Sequence, residues 1–146
     1  MYFVAVDYET YYDTDYSVRD LGPRAYTLDP RFEAPIVSIH GLDNEGKLVS
    51  ECVEPQDFDW GRISECTWVS WNTGFDSAVH RRLIELGKSS VCPEVWHDAS
   101  HLAVFLCAGR SLKAASENLL GVSISKEVRD SMKGVRYSTL SEEEKQ

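Results

Sequence analysis

Asp7 and Glu9 stand two residues apart where the apolar run YFVAV, residues 2–6, comes to its end. In an extended chain successive side chains alternate, so this spacing sets both carboxylates on one face of a strand. Two carboxylates on one face are half of a site for hard divalent cations such as Mg²⁺, which take carboxylate, water and phosphate oxygens. A pair of such ions about 3.5–4 Å apart can activate a water on one side of a phosphodiester and stabilise the leaving oxygen on the other. A lone Asp-x-Glu at a strand end is more often merely solvated, so its meaning depends on what else the chain brings to the same place. Asp76 is the candidate. It follows the strand-like TWVSW of residues 67–71 and the break Asn72-Thr73-Gly74, and it opens a stretch in which Phe75, Val79, Leu83 and Leu86 recur at helical spacing. In the first turn of that helix Asp76 would project toward the end of the sheet where Asp7 and Glu9 emerge. The plainer reading of Asp76 alone is an acidic residue favoured by the helix dipole, worth roughly a few tenths of a kcal/mol.

The elements that would position these groups follow from periodicity and turn chemistry. Residues 2–7, YFVAVD, read as a buried strand, and a strand so early in the chain is expected to be central. Residues 11–35 are polar and interrupted by Gly22-Pro23, Asp29-Pro30 and Ala34-Pro35, which predicts an irregular excursion with about one helical turn. IVSIHGL (36–42) and KLVSECV (47–53), joined by Asp-Asn-Glu-Gly, predict a hairpin, so three consecutive antiparallel strands open the chain. A short helical stretch is expected near residues 57–64. After the strand at 67–71 comes the helix from Phe75, stopped by Gly87. A short strand at 94–98, a helix at 100–106, and a helix capped by Ser111 and stopped by Gly121, with Leu112, Ala115, Leu119 and Leu120 on one face, complete the pattern. Ser141 followed by Glu142, Glu143 and Glu144 reads as the start of one more helix, cut short at Gln146. The fold class expected is α/β: a mixed sheet with three antiparallel N-terminal strands followed by strand–helix units.

At 146 residues with 42% hydrophobic content, the chain is long enough for one core and one domain, residues 1–146. No apolar run approaches the roughly 20 residues that span a bilayer, and MYFVAVDYET has neither a basic leader nor a small-residue cleavage site, so a soluble, cytoplasmic protein without membrane partners is expected. Cys52, Cys66, Cys92 and Cys107 contain no CxxC pair, and are expected as free, mostly buried thiols. The net charge of −9 disfavours a protein that coats duplex nucleic acid through many phosphate contacts. It leaves room for an enzyme that takes only a strand end, where cations held by carboxylates supply the positive charge.

Together, VAVDYET with Asp7, Glu9 and Thr10, and WNTGFD with Asn72, Phe75 and Asp76, resemble the first two motifs of the DEDD, or DnaQ-like, 3′–5′ exonucleases of RNase H-like fold. The nearest resemblance is to the exonuclease domain of bacteriophage-type family A DNA polymerases, and it continues through WHD at 96–98 and RSLKAASENLLG at 110–121. The resemblance implies an RNase H-like fold and removal of 3′ nucleotides from single-stranded DNA by a two-metal mechanism using two Mg²⁺ or Mn²⁺ ions. It implies proofreading beside a polymerase domain or chain during DNA replication, in the bacterial host cytoplasm if the chain is phage-encoded. Asp7, Glu9 and Asp76 would be the catalytic metal ligands, and Thr10, Asn72 and Phe75 would meet the terminal nucleotide. The family's third motif, Tyr or His followed four residues later by Asp on a C-terminal helix, is not found: Tyr137 is followed by Leu140 and Ser141. Either the chain is truncated or another polypeptide supplies that helix. The alternative is a catalytically incomplete nuclease-fold module that binds nucleic acid or a polymerase partner.

Other residues carry two readings each. Phe75 offers a ring to a base, worth about 1–3 kcal/mol in single-strand binding, or packs in the core. Tyr8, Tyr11 and Tyr12 face the substrate strand or, more simply, pack around the strand end. His97 and His101 have a zinc-like spacing, but a strand-to-helix break falls between them and no third ligand is suitably spaced. Asp98 is expected to support the site from behind its ligands or to cap a helix. Lys126, Arg129 and Lys133 form a basic patch that approaches the strand backbone or is a solvated face.

Overall fold

The computed structural model describes residues 1–125, 131–141 and 143. The first strand, β1 (Phe3–Glu9), alternates with Val4, Val6 and Tyr8 buried and Phe3, Ala5, Asp7 and Glu9 on the opposite face. It pairs antiparallel with β2 (Ile36–Leu42), which pairs antiparallel with β3 (Leu48–Val53). On its other side β1 runs parallel to β4 (Thr67–Ser70), and β4 runs parallel to β5 (Trp96–Asp98). The strand order is β3-β2-β1-β4-β5, a mixed α/β sheet with β1 at its centre. Between β2 and β3 the Asp43 carboxylate accepts from the backbone N–H groups of Glu45 and Lys47, which fixes the hairpin turn. Gly41 is required by close approach, because a Cβ there would lie 2.3 Å from the Phe3 carbonyl oxygen.

One layer of helix covers the buried face. Helix α1 spans Val18–Leu28 and helix α2 spans Thr73–Glu85. In α2 the buried positions are Asp76, Val79, His80 and Leu83, an i, i+3, i+4, i+7 stripe. Val79 and Leu83 pack with Val4, Val6, Val37, Ile39, Val49 and Trp68 into one core. A 3₁₀ turn at Trp60–Ile63 closes the edge of this core, in the region where a helical stretch is expected. Two shorter helices follow β5, α3 (Ala99–Phe105) and α4 (Leu112–Leu120), and Ala103 of α3, Ala108 of the connection and Ala115 of α4 form a second small cluster against Trp71. Ser111 caps α4 through the N–H of Ala114, and Gly121 ends it in the left-handed conformation. No helix among the described residues is long and apolar enough to cross a membrane.

Three expectations need correction. The stretch 11–35 holds an 11-residue helix rather than about one turn, since Gly22, at φ 75°, joins two helical pieces across a kink and Pro23 opens the second. Of the four free cysteines only Cys66 is buried, while Cys52, Cys92 and Cys107 are exposed. On the apolar face of α4 only Ala115 is buried, while Leu112, Leu119 and Leu120 are exposed among the described residues, and on the α2 face Leu86 is exposed where Val79 and Leu83 are not. The acidic start expected after Ser141 falls at Glu142 and Glu144, which lie outside the described residues.

Candidate active site

The C-terminal ends of β1 and β4 meet the N-terminal turn of α2, and this meeting gathers Asp7 and Asp76. Asp7 lies on the outward face of β1 near its end. Asp76, 2% exposed, replaces an apolar residue at the head of the buried stripe of α2. Its carboxyl is raised to about 7, first by burial and next by the negative charge of Asp7, against a hydrogen bond from the Ser70 hydroxyl and one from the Asn72 backbone. Asp7 keeps contact with solvent, yet crowding by surrounding protein raises its carboxyl too, against a bond from the Tyr8 backbone. Burial therefore raises both carboxyls, and the charge of Asp7 adds to the shift of Asp76. Glu9 emerges from β1 on the same face as Asp7 and is exposed.

Beneath this pair Tyr8 points into the core, 4% exposed. Its hydroxyl donates to Nδ1 of His80 at 2.6 Å, while Nε2 of His80 faces the Val91 carbonyl at 2.7 Å. Since a carbonyl only accepts, Nε2 carries the proton and Nδ1 is the acceptor, a neutral ring. Burial holds the imidazole below its usual range, and Trp60, Trp68 and Trp96 surround it edge-on. Burial, followed by the charges of Asp76 and Asp7, holds the Tyr8 phenol well above its usual range. Tyr8 is thus a core residue and presents no ring to a substrate.

The remaining expected site residues divide. Asn72 sits at the N-cap of α2, exposed, with no side-chain capping bond, so its amide faces outward at the mouth of the site. Phe75 is partly buried, packs on the main core and meets Tyr26 at 6.1 Å, which favours its packing role. The Thr10 hydroxyl is hydrogen-bonded to the Tyr26 phenol. Tyr26 in turn donates to the Tyr11 carbonyl and stacks on Tyr16 at 4.5 Å. The Tyr11 ring lies under the Arg136 guanidinium at 4.2 Å and its hydroxyl donates to Asp13. Tyr12 accepts at its carbonyl from the Gly134 N–H. Thr10, Tyr11 and Tyr12 therefore belong to a packed strap that fixes the loop after Glu9.

Asp98 ends β5 and serves as the N-cap of α3, accepting from Ser100 N–H at 2.9 Å, and it also accepts from Thr73 N–H at 3.1 Å. Burial alone would raise it, but these bonds, the Ser100 hydroxyl and the charge of His101 hold it below the usual carboxylate range. Lys133 is exposed, whereas Lys126 and Arg129 lie outside the described residues. Tyr137 lies in a 3₁₀ turn and lines a cleft of about 370 Å³ with Phe32, Pro35, Leu83 and Leu86. Leu83 and Leu86 are seven and ten residues beyond Asp76, roughly 10–15 Å further along the helix.

Sequence reasoning passed over Ser70, Thr73 and His80. Ser70 had a usable signal: it is two residues from Trp68, on the inward face of a strand, where a hydroxyl needs a partner. His80 falls on the α2 stripe one position after Val79, where a polar residue marks a buried bond. Among the described residues no group of three or more His, Cys, Asp or Glu side chains is placed to hold a metal ion. The donor chemistry of Asp7 and Asp76 fits one hard cation, and Glu9 does not complete a three-carboxylate cluster with them. No family model matches the chain, and neither a curated protein nor a solved structure is found to match it.

Proposed function

We propose that the chain is a 3′–5′ exonuclease domain of the DEDD type, acting on the 3′ end of single-stranded DNA with Mg²⁺ or Mn²⁺, in a proofreading context beside a polymerase domain or chain. The observation that carries the reading is the juxtaposition of Asp7, near the end of β1, with the buried Asp76 in the first turn of α2, the helix that follows the parallel strand β4. A buried carboxylic acid beside a second carboxylate is an expensive arrangement in a metal-free fold, and perturbed carboxyls concentrate at functional sites. The strand order β3-β2-β1-β4-β5, with β2 alone against the direction of its two neighbours, supports an RNase H-like fold.

Asp7 and Asp76 would hold the cation, with Glu9 on the outward face beside them. A bound divalent ion supplies polarisation of the scissile phosphate and acidification of a water. The protein holds the two carboxylates at fixed positions, keeps the floor of the site dry through Tyr8 and Trp68, and presents the Asn72 amide where a terminal nucleotide would enter.

A second reading, a nuclease-fold module that binds nucleic acid or a polymerase partner without cutting, is favoured by the absence of a third clustered carboxylate among the described residues. Digestion of 5′-labelled single-stranded DNA in Mg²⁺ or Mn²⁺ separates the two. Stepwise shortening from the 3′ end that Asp7→Ala and Asp76→Ala both abolish is the result expected of the enzyme. Intact DNA, with Mn²⁺ still bound by the wild type, sinks the enzymatic reading for this chain and leaves the module.

A further inference from the structure

We propose that Asp98 is the positioning residue for Asp76, holding the first turn of α2 against two strand ends; the inference rests on the metal-site reading above. A helix leaves its first N–H groups without internal partners, and an N-cap side chain ordinarily takes one of them. In α2 the N-cap residue Asn72 makes no such bond. Asp98 takes its place from a different strand, one oxygen accepting from Thr73 N–H at 3.1 Å. Its other oxygen accepts from the N–H of Ser100 at 2.9 Å and from the Ser100 hydroxyl at 2.5 Å. One carboxylate therefore ends β5 and caps two helices, α2 and α3.

The register adds a second tie. Ser70 and Asp98 are paired at the ends of β4 and β5. The Ser70 hydroxyl bonds to the Asp76 carboxyl and lies 3.2 Å from the Thr73 hydroxyl. Asp76 is one turn beyond Thr73, and Gly74 between them has a weak helical preference, so the turn gains from outside support. Without Asp98 that turn has no side-chain cap, and the direction of Asp76 toward Asp7 depends on the Ser70 hydroxyl and the Asn72 backbone.

Outer partners of a metal ligand typically govern affinity by about 10–100-fold. The test is Mn²⁺ affinity, read by electron paramagnetic resonance, together with thermal melts, for the wild type and three variants. Asp98→Ser leaves α3 a good N-cap and so preserves that helix, but does not reach Thr73. Asp98→Glu keeps the charge and displaces the acceptor oxygens. Asn72→Ser combined with Asp98→Ser gives α2 a local cap without the tie to β5. Expected is a loss of about 10–100-fold for both single variants, with the double variant regaining melting temperature but not affinity. Wild-type affinity in Asp98→Ser overturns the proposal while leaving the metal site standing. Wild-type affinity in Asp98→Glu reduces Asp98 to its charge, and recovery in the double variant reduces it to helix capping; either also overturns it. A wild type whose Mn²⁺ binding is negligible, or unaffected by Asp7→Ala, removes the metal site itself and the proposal with it.

Discussion

Asp76 is the residue on which the chemistry and the stability of this fold most directly conflict. Its carboxyl holds a proton to about pH 7 in the folded chain, against an ordinary value near 3.8. Between those limits the folded chain binds the extra proton, so folding stability falls as pH rises from about 4 toward and through about 7. The size is on the order of a few kcal/mol, since each unit is worth about 1.4 kcal/mol and the folded value is approximate. In chelator, the melting temperature is expected to fall over this range, and Asp76→Asn is expected to flatten that fall and to melt above the wild type at pH 8. Thermal melts at a series of pH values check it, and a wild-type profile level from pH 4 to 8 would refute the buried, protonated state. With divalent cation present, the same carboxylates gain a partner and the neutral-pH loss is expected to reverse. Tyr8 gives a second residue-scale expectation. Tyr8→Phe strips the donor from His80 Nδ1, leaving a buried acceptor unpaired at a cost of about 1–3 kcal/mol. Urea denaturation measures that loss, and an unchanged midpoint would mean the ring turns to another partner.

Strands and helices whose signals are local were legible from the amino acids, while those fixed by distant contacts were not. β2 and the helix α4, bounded by Ser111 and Gly121, stand where alternation and cap chemistry place them. So does the common face of Asp7 and Glu9, because the period of two needs no tertiary knowledge. Helix α1 escaped because Gly22-Pro23 reads as a break; the chain instead kinks there and resumes, and the Ser17 cap that starts it is closed by a partner three residues on. The role of Asp98 escaped for a different reason, since its second helix begins 25 residues earlier in the chain and only the sheet register brings the two together. Gly41 shows the same limit. Within the strand-like IVSIHGL it reads as a neutral position, yet the Phe3 carbonyl occupies the space of its missing side chain. Gly41→Ala must push apart the β1–β2 pairing that carries Asp7 and Glu9. A loss of at least about 2–3 kcal/mol in urea denaturation is expected. A variant as stable as wild type would show that the two strands can separate without cost there.

At the scale of the whole molecule the two faces of the sheet are treated unequally. The face toward α2 is closed over a continuous core, with Val4, Val37, Trp68 and Val79 at 0% exposure. The other face carries Phe3, Leu42 and Leu48 in solvent, and the helices beyond Trp71 expose Leu102, Phe105, Leu119 and Leu120. Apolar groups already in water contribute almost nothing to holding the fold, however large they are, because folding removes little of their surface from solvent. The consequence is a sharp division of mutational cost. Leu83→Ala, in the closed layer, is expected to lose about 2–5 kcal/mol, whereas Phe105→Ser and Leu120→Ser, at 82% and 74% exposure, should stay within about 0.5 kcal/mol of wild type. The same exposed residues should let the native chain bind an apolar dye such as anilinonaphthalene sulfonate without unfolding, and Phe105→Ser with Leu120→Ser should lower that signal. Urea midpoints and dye fluorescence, taken on the same samples, decide it together. A Leu120→Ser loss as large as that of Leu83→Ala would place α4 against a partner surface in solution, since only a covered leucine can be so costly to remove.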